Sequence, residues 1–281
     1  MNMVKYFVLT VLYNKTPKES STIVSLSTLP VDIKRDIRIV VWNNSSKDYS
    51  AAHKKELDGM LADYDTTYIF NNGKNLPLSV IYNRTIGEML HDEEVLVIMD
   101  DDSIFGEDMF AKSTEAIERH SNIDLFLPIV YNGSDIVSPA YMNLFKGHYF
   151  KSVTPGITGT HHITAINSGM MIRARYLKHG FEGYDENIKF YFTDNDFMSR
   201  YDASHDKLYV LDYKMIHTLD FYKKGEPYEK KKRRFRDLRR AFLILMKRKG
   251  WAVYAITYLY LIVYSVKFAI KQRDIRYIFV F

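Results

Sequence analysis

The stretch Val95-Leu96-Val97-Ile98-Met99-Asp100-Asp101-Asp102-Ser103 constrains the fold more than any other part of the chain. Five apolar residues, bounded by charge on both sides, suit a central strand covered on both faces. The run then ends in three carboxylates. Like charges at a strand tip repel one another, and each is costly to bury without a counter-charge. A divalent cation is the simplest remedy, because hard ions such as Mg²⁺ and Mn²⁺ prefer carboxylate oxygen. Open α/β sheets collect ligands at the carboxyl ends of their strands. The triplet therefore reads as a metal site at a sheet edge, with Asp100 and Asp102 pointing the same way. A solvated acidic turn is the plain alternative.

The surrounding pattern supplies a sheet for that edge. Residues 5–14 read as a first strand and its polar turn, 37–42 as a second strand, 67–70 as a third and 95–99 as the fourth. Helical stretches at 17–29, 51–62 and 78–90 fall between them. Alternating strands and helices at this spacing predict a parallel sheet with right-handed crossovers. A helix over 106–120 and strands over 125–131, 167–173 and 208–211 follow. Between 132 and 165 the sequence turns irregular, with two prolines and several glycines. A loop of that length inside a domain is functional or mobile, and 154–165 is expected to fold over the site. The class expected is α/β, with a Rossmann-like, mostly parallel central sheet flanked by helices.

Composition narrows the chemistry. The absence of cysteine excludes disulfides, a thiolate nucleophile and zinc–thiolate sites. The apolar run near the start lacks a small-residue cleavage site and reads as a strand, not a signal peptide. Net charge is unevenly spread. Residues 223–281 hold 17 Lys and Arg against 4 Asp and Glu, a net of +13, while the whole chain is +5, which leaves residues 1–222 at −8. An acidic body with a basic tail implies that the body carries the chemistry and the tail meets something anionic.

The order of several short pieces resembles a known family. Tyr13-Asn14 follows the first strand, Asn44-Ser45-Ser46-Lys47-Asp48 the second, and Asn72-Gly73 with Asn83 the third. Met99-Asp100-Asp101-Asp102 closes the fourth. Gly169-Met170-Met171-Ile172-Arg173, Gly183-Tyr184-Asp185-Glu186, Asp194-Asn195-Asp196-Phe197 with Arg200, and finally His217 complete the set. Over roughly the first 220 residues the chain resembles a family 2 glycosyltransferase of the GT-A fold, most like the bacterial rhamnosyltransferase and galactofuranosyltransferase branch.

That resemblance implies inverting, metal-dependent transfer of a sugar from a UDP- or dTDP-linked donor to a hydroxyl of a glycan or lipid-linked acceptor, in cell-surface polysaccharide synthesis. It implies a catalytic domain over 1–222, with a nucleotide-binding half at 1–103 and an acceptor and catalytic half at 104–222. Asp102 and His217 would ligate Mn²⁺ or Mg²⁺, and Asp100 the metal or the ribose. Imidazole favours Mn²⁺. Donor binding would fall to Tyr13, Asn14, Asn43, Asn44, Asn72, Asn83, Asp100, Asp101 and Asp196. Asp194 would be the general base, its pKa raised by Phe190, Tyr191, Phe192 and Phe197. The plain reading of Asp194 and Asp196 is a helix N-terminus, where carboxylates contribute about 0.3–1 kcal/mol. His161, His162 and Arg200 would gate the acceptor. Two positions depart from the family's pattern. Thr193 stands where an acidic residue is usual. Asn43 stands where an Asp usually contacts the nucleobase, though an amide still pairs with a pyrimidine.

The tail is expected to be a helix over 226–249, with Phe235, Leu238, Phe242 and Leu245 as an apolar stripe and Lys232, Arg233, Arg236, Arg239 and Arg240 on other faces. Such a helix suits an anionic membrane surface, and the alternative is a solvated helix packed on the body. After Gly250, residues 251–270 have the length of a membrane span. Their tyrosines and flanking basic residues favour an interfacial helix, with a span as the close alternative. The implied location is cytoplasmic, peripheral at the inner face of the cell membrane. A homo-oligomer is left open, and no nucleic-acid partner is expected. Two rivals remain: a HAD-like phosphatase using Asp100 and Asp102, and a non-catalytic protein that binds anionic surfaces through its tail.

Overall fold

A computed structural model describes residues 4–144, 146–217 and 227–279. The expected boundary between body and extension, at 222/223, lies outside those residues. In chain order the first half comprises β1 (Lys5–Leu12), α1 (Ser21–Ser27), α2 (Val31–Lys34), β2 (Ile37–Asn43), α3 (Ala51–Met60), β3 (Asp65–Phe70), α4 (Leu78–Arg84) and β4 (Glu94–Asp100). Then come β5 (Ser103–Ile104), α5 (Asp108–Arg119), β6 (Leu125–Asn132), β7 (Asp135–Ser138), β8 (Ala140–Asn143), β9 (Lys146–Tyr149), β10 (Gly156–Gly159), β11 (Ile163–Thr164) and β12 (Met170–Arg173). The last elements are α6 (Ala174–His179), α7 (Thr193–Ser204), β13 (Lys207–His217), α8 (Tyr228–Arg248) and α9 (Trp251–Gln272).

The main sheet runs β10-β13-β6-β12-β4-β1-β2-β3. β1, β2, β3 and β4 pair in parallel, as the βαβ spacing requires. β12 runs antiparallel between β4 and β6, and β13 pairs in parallel with β6. The sheet is therefore mixed but mostly parallel. Val95, Leu96, Val97, Ile98 and Met99 are all buried, because α-helices cover both faces of β4. Each such side chain contributes about 1.5–3 kcal/mol by leaving water. This strand fixes the height of the carboxylates that follow it.

Two expectations require correction. The 132–165 segment is not an irregular loop. It holds five short strands, three of which form a separate sheet in the order β11-β8-β9. Nor is 154–165 an irregular lid, although its end, at Thr164 and Ala165, does border the cavity that Asp194 lines. β10 adds to the edge of the main sheet opposite Lys207–Val210, and β11 pairs with β8, so its backbone groups are committed to sheets. Strands of two to four residues show no alternation that a periodicity reading would detect.

α8 and α9 form a hairpin at Gly250, whose φ of 114° is open to glycine but not to a side-chain-bearing residue. The apolar stripe of α8 faces inward. Phe242, Leu245 and Met246 pack with Ile188 of the body and Leu261 of α9. Phe192 and Phe242 stack at 5.3 Å. The stripe is therefore a packing face and not a free membrane face. α9 leaves Ile256, Leu259, Val263 and Ile270 exposed on one side.

Candidate active site

β4 and β5 are joined by a tight turn that is pinned from below. The Asp100 N–H donates to Ser168 Oγ at 3.2 Å, and Ser20 Oγ donates to the Asp101 carbonyl at 2.9 Å. Thr22 Oγ1 donates to the Asp100 carbonyl and accepts from the Ser103 N–H. The start of α1 therefore holds all three acidic residues in place. β5 then pairs antiparallel with the end of β13, setting His217 opposite Ser103. That register is what delivers a residue 115 positions after Asp102 to the same spot.

Asp100, Asp102 and His217 each offer a ligand atom, and the three atoms lie within 4.8 Å of one another. His217 Nδ1 is 3.0 Å from Asp102 Oδ1, and His217 Nε2 is 3.7 Å from Asp100 Oδ2. Asp102 Oδ1 and His217 Nδ1 are both buried and face each other, with no further partner among the described residues. Two carboxylate oxygens and an imidazole nitrogen converging on one point make a donor set that fits Mn²⁺ or Mg²⁺.

The electrostatics reflect crowding. Desolvation pushes the Asp100 carboxyl up to about 6; His217 opposes this and Asp102 adds to it. Asp101 is raised by desolvation, against the pull of Lys15, whose Nζ donates to Oδ1 at 2.6 Å. Burial alone lowers His217, but the Asp102 and Asp100 carboxylates outweigh it and raise the ring's pKa.

Asp194 stands in the first turn of α7. Phe192, at the helix N-cap, has a φ of 66°, and Thr193 Oγ1 accepts from Asn167 Nδ2 at 2.9 Å. The neutral Thr193 is therefore paired with an amide, and no charge is missing from that spot. Desolvation pushes the Asp194 carboxyl up to about 7, and Asp100 adds a smaller repulsion. Asp194 opens onto a cavity of about 350 Å³ shared with Tyr141, His148 and Thr164. A partly dry carboxylate near neutrality, beside a cavity and within electrostatic reach of a metal-type cluster, is suited to proton abstraction.

A second cavity, of about 450 Å³, has Asp100, Asp101, Asp102 and His217 on its floor and Tyr13 and Asn44 at its side. Other residues expected at the donor lie elsewhere. The Asn43 side chain is fully buried. It donates to Tyr68 Oη at 2.9 Å and accepts from the Ser45 N–H, so its amide shapes the loop and does not face the cavity. Asn83 Oδ1 accepts from the Tyr184 N–H at 2.7 Å, and its Nδ2 donates to the Tyr184 carbonyl, which latches α4 to the 183–186 turn. Asn14 and Asn72 hold turns with positive φ, and neither lines this cavity. The Asp196 carboxylate is 1% exposed and accepts from Arg200 and Arg248, away from the donor cavity. His162 and Arg200 share a neighbouring cavity of about 450 Å³ with Asn195 and Arg248, while His161 is exposed beside Asp202.

Sequence reading named Arg233 only as part of a basic face for an anionic membrane, and did not name Lys230 or Arg234. Lys230, Arg233 and Arg234 of α8 line the donor cavity. Their i, i+3, i+4 spacing places them on one helix face, but only the packing of α8 shows that this face turns toward the body.

Solved structures share this architecture. The chain aligns with residues 1–349 of TarS from S. aureus in complex with UDP-GlcNAc at a TM-score of 0.55, 14% identity and 86% coverage. It aligns with the mannosyltransferase PcManGT from Pyrobaculum calidifontis, in complex with GDP-Man and Mn²⁺, at 0.56, 12% and 89%. GalNAc-T7 with UDP, GalNAc and Mn²⁺ aligns at 0.56, 14% and 85%. The chain covers 66%, 66% and 47% of those chains respectively, so it spans less than two thirds of each. A search of the curated proteins finds no significant match. The fold is that of GT-A glycosyltransferases. A model of glycosyl transferase family 2 matches residues 8–181, more than half of the chain, and the chain belongs to that family. That family and fold differ from those of a HAD-like phosphatase, which removes that reading.

Proposed function

We propose that the chain is an inverting, divalent-metal-dependent glycosyltransferase, resembling the rhamnosyl and galactofuranosyl branch of its family. It takes a UDP- or dTDP-linked sugar and glycosylates a hydroxyl of a glycan or lipid-linked acceptor during surface polysaccharide synthesis. The observation that carries this is the pairing of two sites at one sheet edge: the Asp100, Asp102 and His217 cluster, and Asp194 with its carboxyl near 7. The mannosyltransferase and GalNAc-T7 structures contain Mn²⁺, which supports Mn²⁺ as the ion here.

Asp102, His217 and Asp100 would hold the ion, and when bound it supplies a Lewis acid to the departing diphosphate. Asp194 accepts the proton of the acceptor hydroxyl. The acceptor oxygen forms its bond to the anomeric carbon as the bond to the diphosphate breaks, and the nucleoside diphosphate leaves with the electron pair. Tyr13 and Asn44 border the donor on the body side. The 1–222 body would act at the inner face of the cell membrane, held there by the 223–281 extension, which contains the α8–α9 hairpin. α9 supports that placement, being 22 residues long with an 18-residue window of mean hydropathy 1.6.

The test is calorimetric titration of UDP, dTDP and GDP into the purified chain with and without Mn²⁺. Mn²⁺-dependent binding of one nucleotide is expected. If none binds under either condition, the transferase assignment of this site is overturned.

A further inference from the structure

The donor cavity has two walls of opposite charge. Its floor carries Asp100, Asp101 and Asp102. Its far wall is the first three turns of α8, with Lys230, Arg233, Arg234 and Asp237 at i, i+3, i+4 and i+7. These residues lie well beyond the 8–181 segment that the family model matches. The matched domain therefore contributes only the acidic side.

A charge argument says what the basic side is for. A nucleoside diphosphate leaves with about three negative charges, one more than it carries while esterified to the sugar. On the body side, Lys15 donates to Asp101 at 2.6 Å and offsets that one carboxylate. One divalent ion roughly balances Asp100 and Asp102 and leaves the diphosphate without counter-charge. The three cations of α8 supply it from the opposite side.

The position of α8 is fixed at its other end. Arg248 donates to the carboxylates of Asp185 and Asp196, and Phe242, Leu245 and Met246 bury against Ile188 and Phe192. This clamp uses the α7 N-terminal turn that also carries Asp194. One helix thus ties the base to the far wall of the donor cavity.

We propose that Lys230, Arg233 and Arg234 bind the diphosphate of the donor, so that the C-terminal extension completes the active site as well as supporting it. The proposal rests on the transferase reading. A phosphate-bearing lipid headgroup offers similar chemistry, and the experiment separates the two sources.

The experiment titrates UDP, dTDP and GDP with Mn²⁺, and the matching monophosphates, into the full chain and into the variants Arg233→Ala, Arg233→Lys, Lys230→Ala with Arg234→Ala, and Lys55→Ala. Lys55 is an exposed lysine on α3, remote from the cavity, and controls for lost charge alone. Arg233→Ala is expected to weaken the bound nucleoside diphosphate about tenfold, the double variant more, and the monophosphate about threefold or less. Arg233→Lys should recover most of the loss, and Lys55→Ala should change nothing. In parallel, sedimentation with anionic vesicles should be nearly unchanged in Arg233→Ala. Unchanged diphosphate affinity in the double variant overturns the proposal. So does a loss equal to that of Lys55→Ala, or a loss seen with vesicles alone. If the unaltered chain binds no nucleotide, the transferase reading itself fails.

Discussion

At the residue scale, Asp194 decides whether this site does chemistry. Its carboxyl lies near 7, chiefly through desolvation. A carboxylate base works only when ionised, so kcat/KM should fall about tenfold per pH unit below about 7 and level off above it. A profile flat from pH 5 to 8 would remove Asp194 as the base. Asp194→Asn should bind donor within about twofold of the unaltered chain and lose about 10²–10⁴ in kcat. The same shift predicts a stability effect. Between about 4 and about 7 the native protein holds a proton that the unfolded chain has released, so stability falls as pH rises through that window. Asp194→Asn should therefore raise the Tm of the metal-free protein at pH 8, by roughly 2–4 °C. Asp102→Ala and His217→Ala should cut Mn²⁺-dependent donor affinity without changing Mn²⁺-independent binding, as measured by the same titrations. Asp100 and Asp102 were legible because charge at a strand tip is a chemical signal, whereas the roles of His217 and Asp194 came from the resemblance alone. The amides were not legible. Asn43 and Asn83 sit at family motif positions, yet their side chains bond chiefly to loop backbones and a tyrosine hydroxyl, and no sequence pattern tells a loop-building Asn from a ligand-binding one.

At the element scale, what could be read was whatever had length and period. β1, β2 and β4 are largely apolar runs between polar turns, β3 is a shorter and half-exposed one, and their parallel pairing follows from the helices between them. The segment from β7 to β11 was opaque because each strand is only two to four residues long, and pairing rather than pattern defines it. α8 was legible as a helix but not in its orientation. Two of its faces are usable, one apolar and one basic, and docking depends on residues far away in sequence. The ion pairs of Arg248 with Asp185 and Asp196 locate that docking. Arg248→Ala leaves the buried Asp196 with Arg200 as its remaining cationic partner and exposes the end of the helix. The Arg248 side chain is partly solvated, so the loss should be modest, about 1–2 kcal/mol by urea unfolding. Unchanged stability would mean that the hydrophobic contacts of Phe242 and Leu245 dock α8 without help from the charge.

For the whole molecule, charge and apolar surface are divided along the chain. The body is acidic and folds around its own core, whereas the α8–α9 hairpin is basic and exposes a stripe of aliphatic side chains. Ile256, Leu259, Val263, Val266 and Ile270 recur at helical spacing on the outer face of α9, between 38% and 72% exposed. A stripe this long costs solubility unless something apolar covers it. The adjoining basic residues would each contribute on the order of 1 kcal/mol near anionic lipid. The full chain should therefore sediment with anionic vesicles. Leu259→Gln with Val263→Gln should weaken that binding more than tenfold, since each side chain contributes roughly 1.5–3 kcal/mol when buried. Raising the salt to about 0.5 M should weaken binding in the unaltered chain without abolishing it, because screening removes the charge contribution and leaves the apolar one. Binding that is lost wholly in salt and is indifferent to the glutamines would place the contact on the basic face of α8. That face also lines the donor cavity, so the membrane and the nucleotide would then compete for the same arginines.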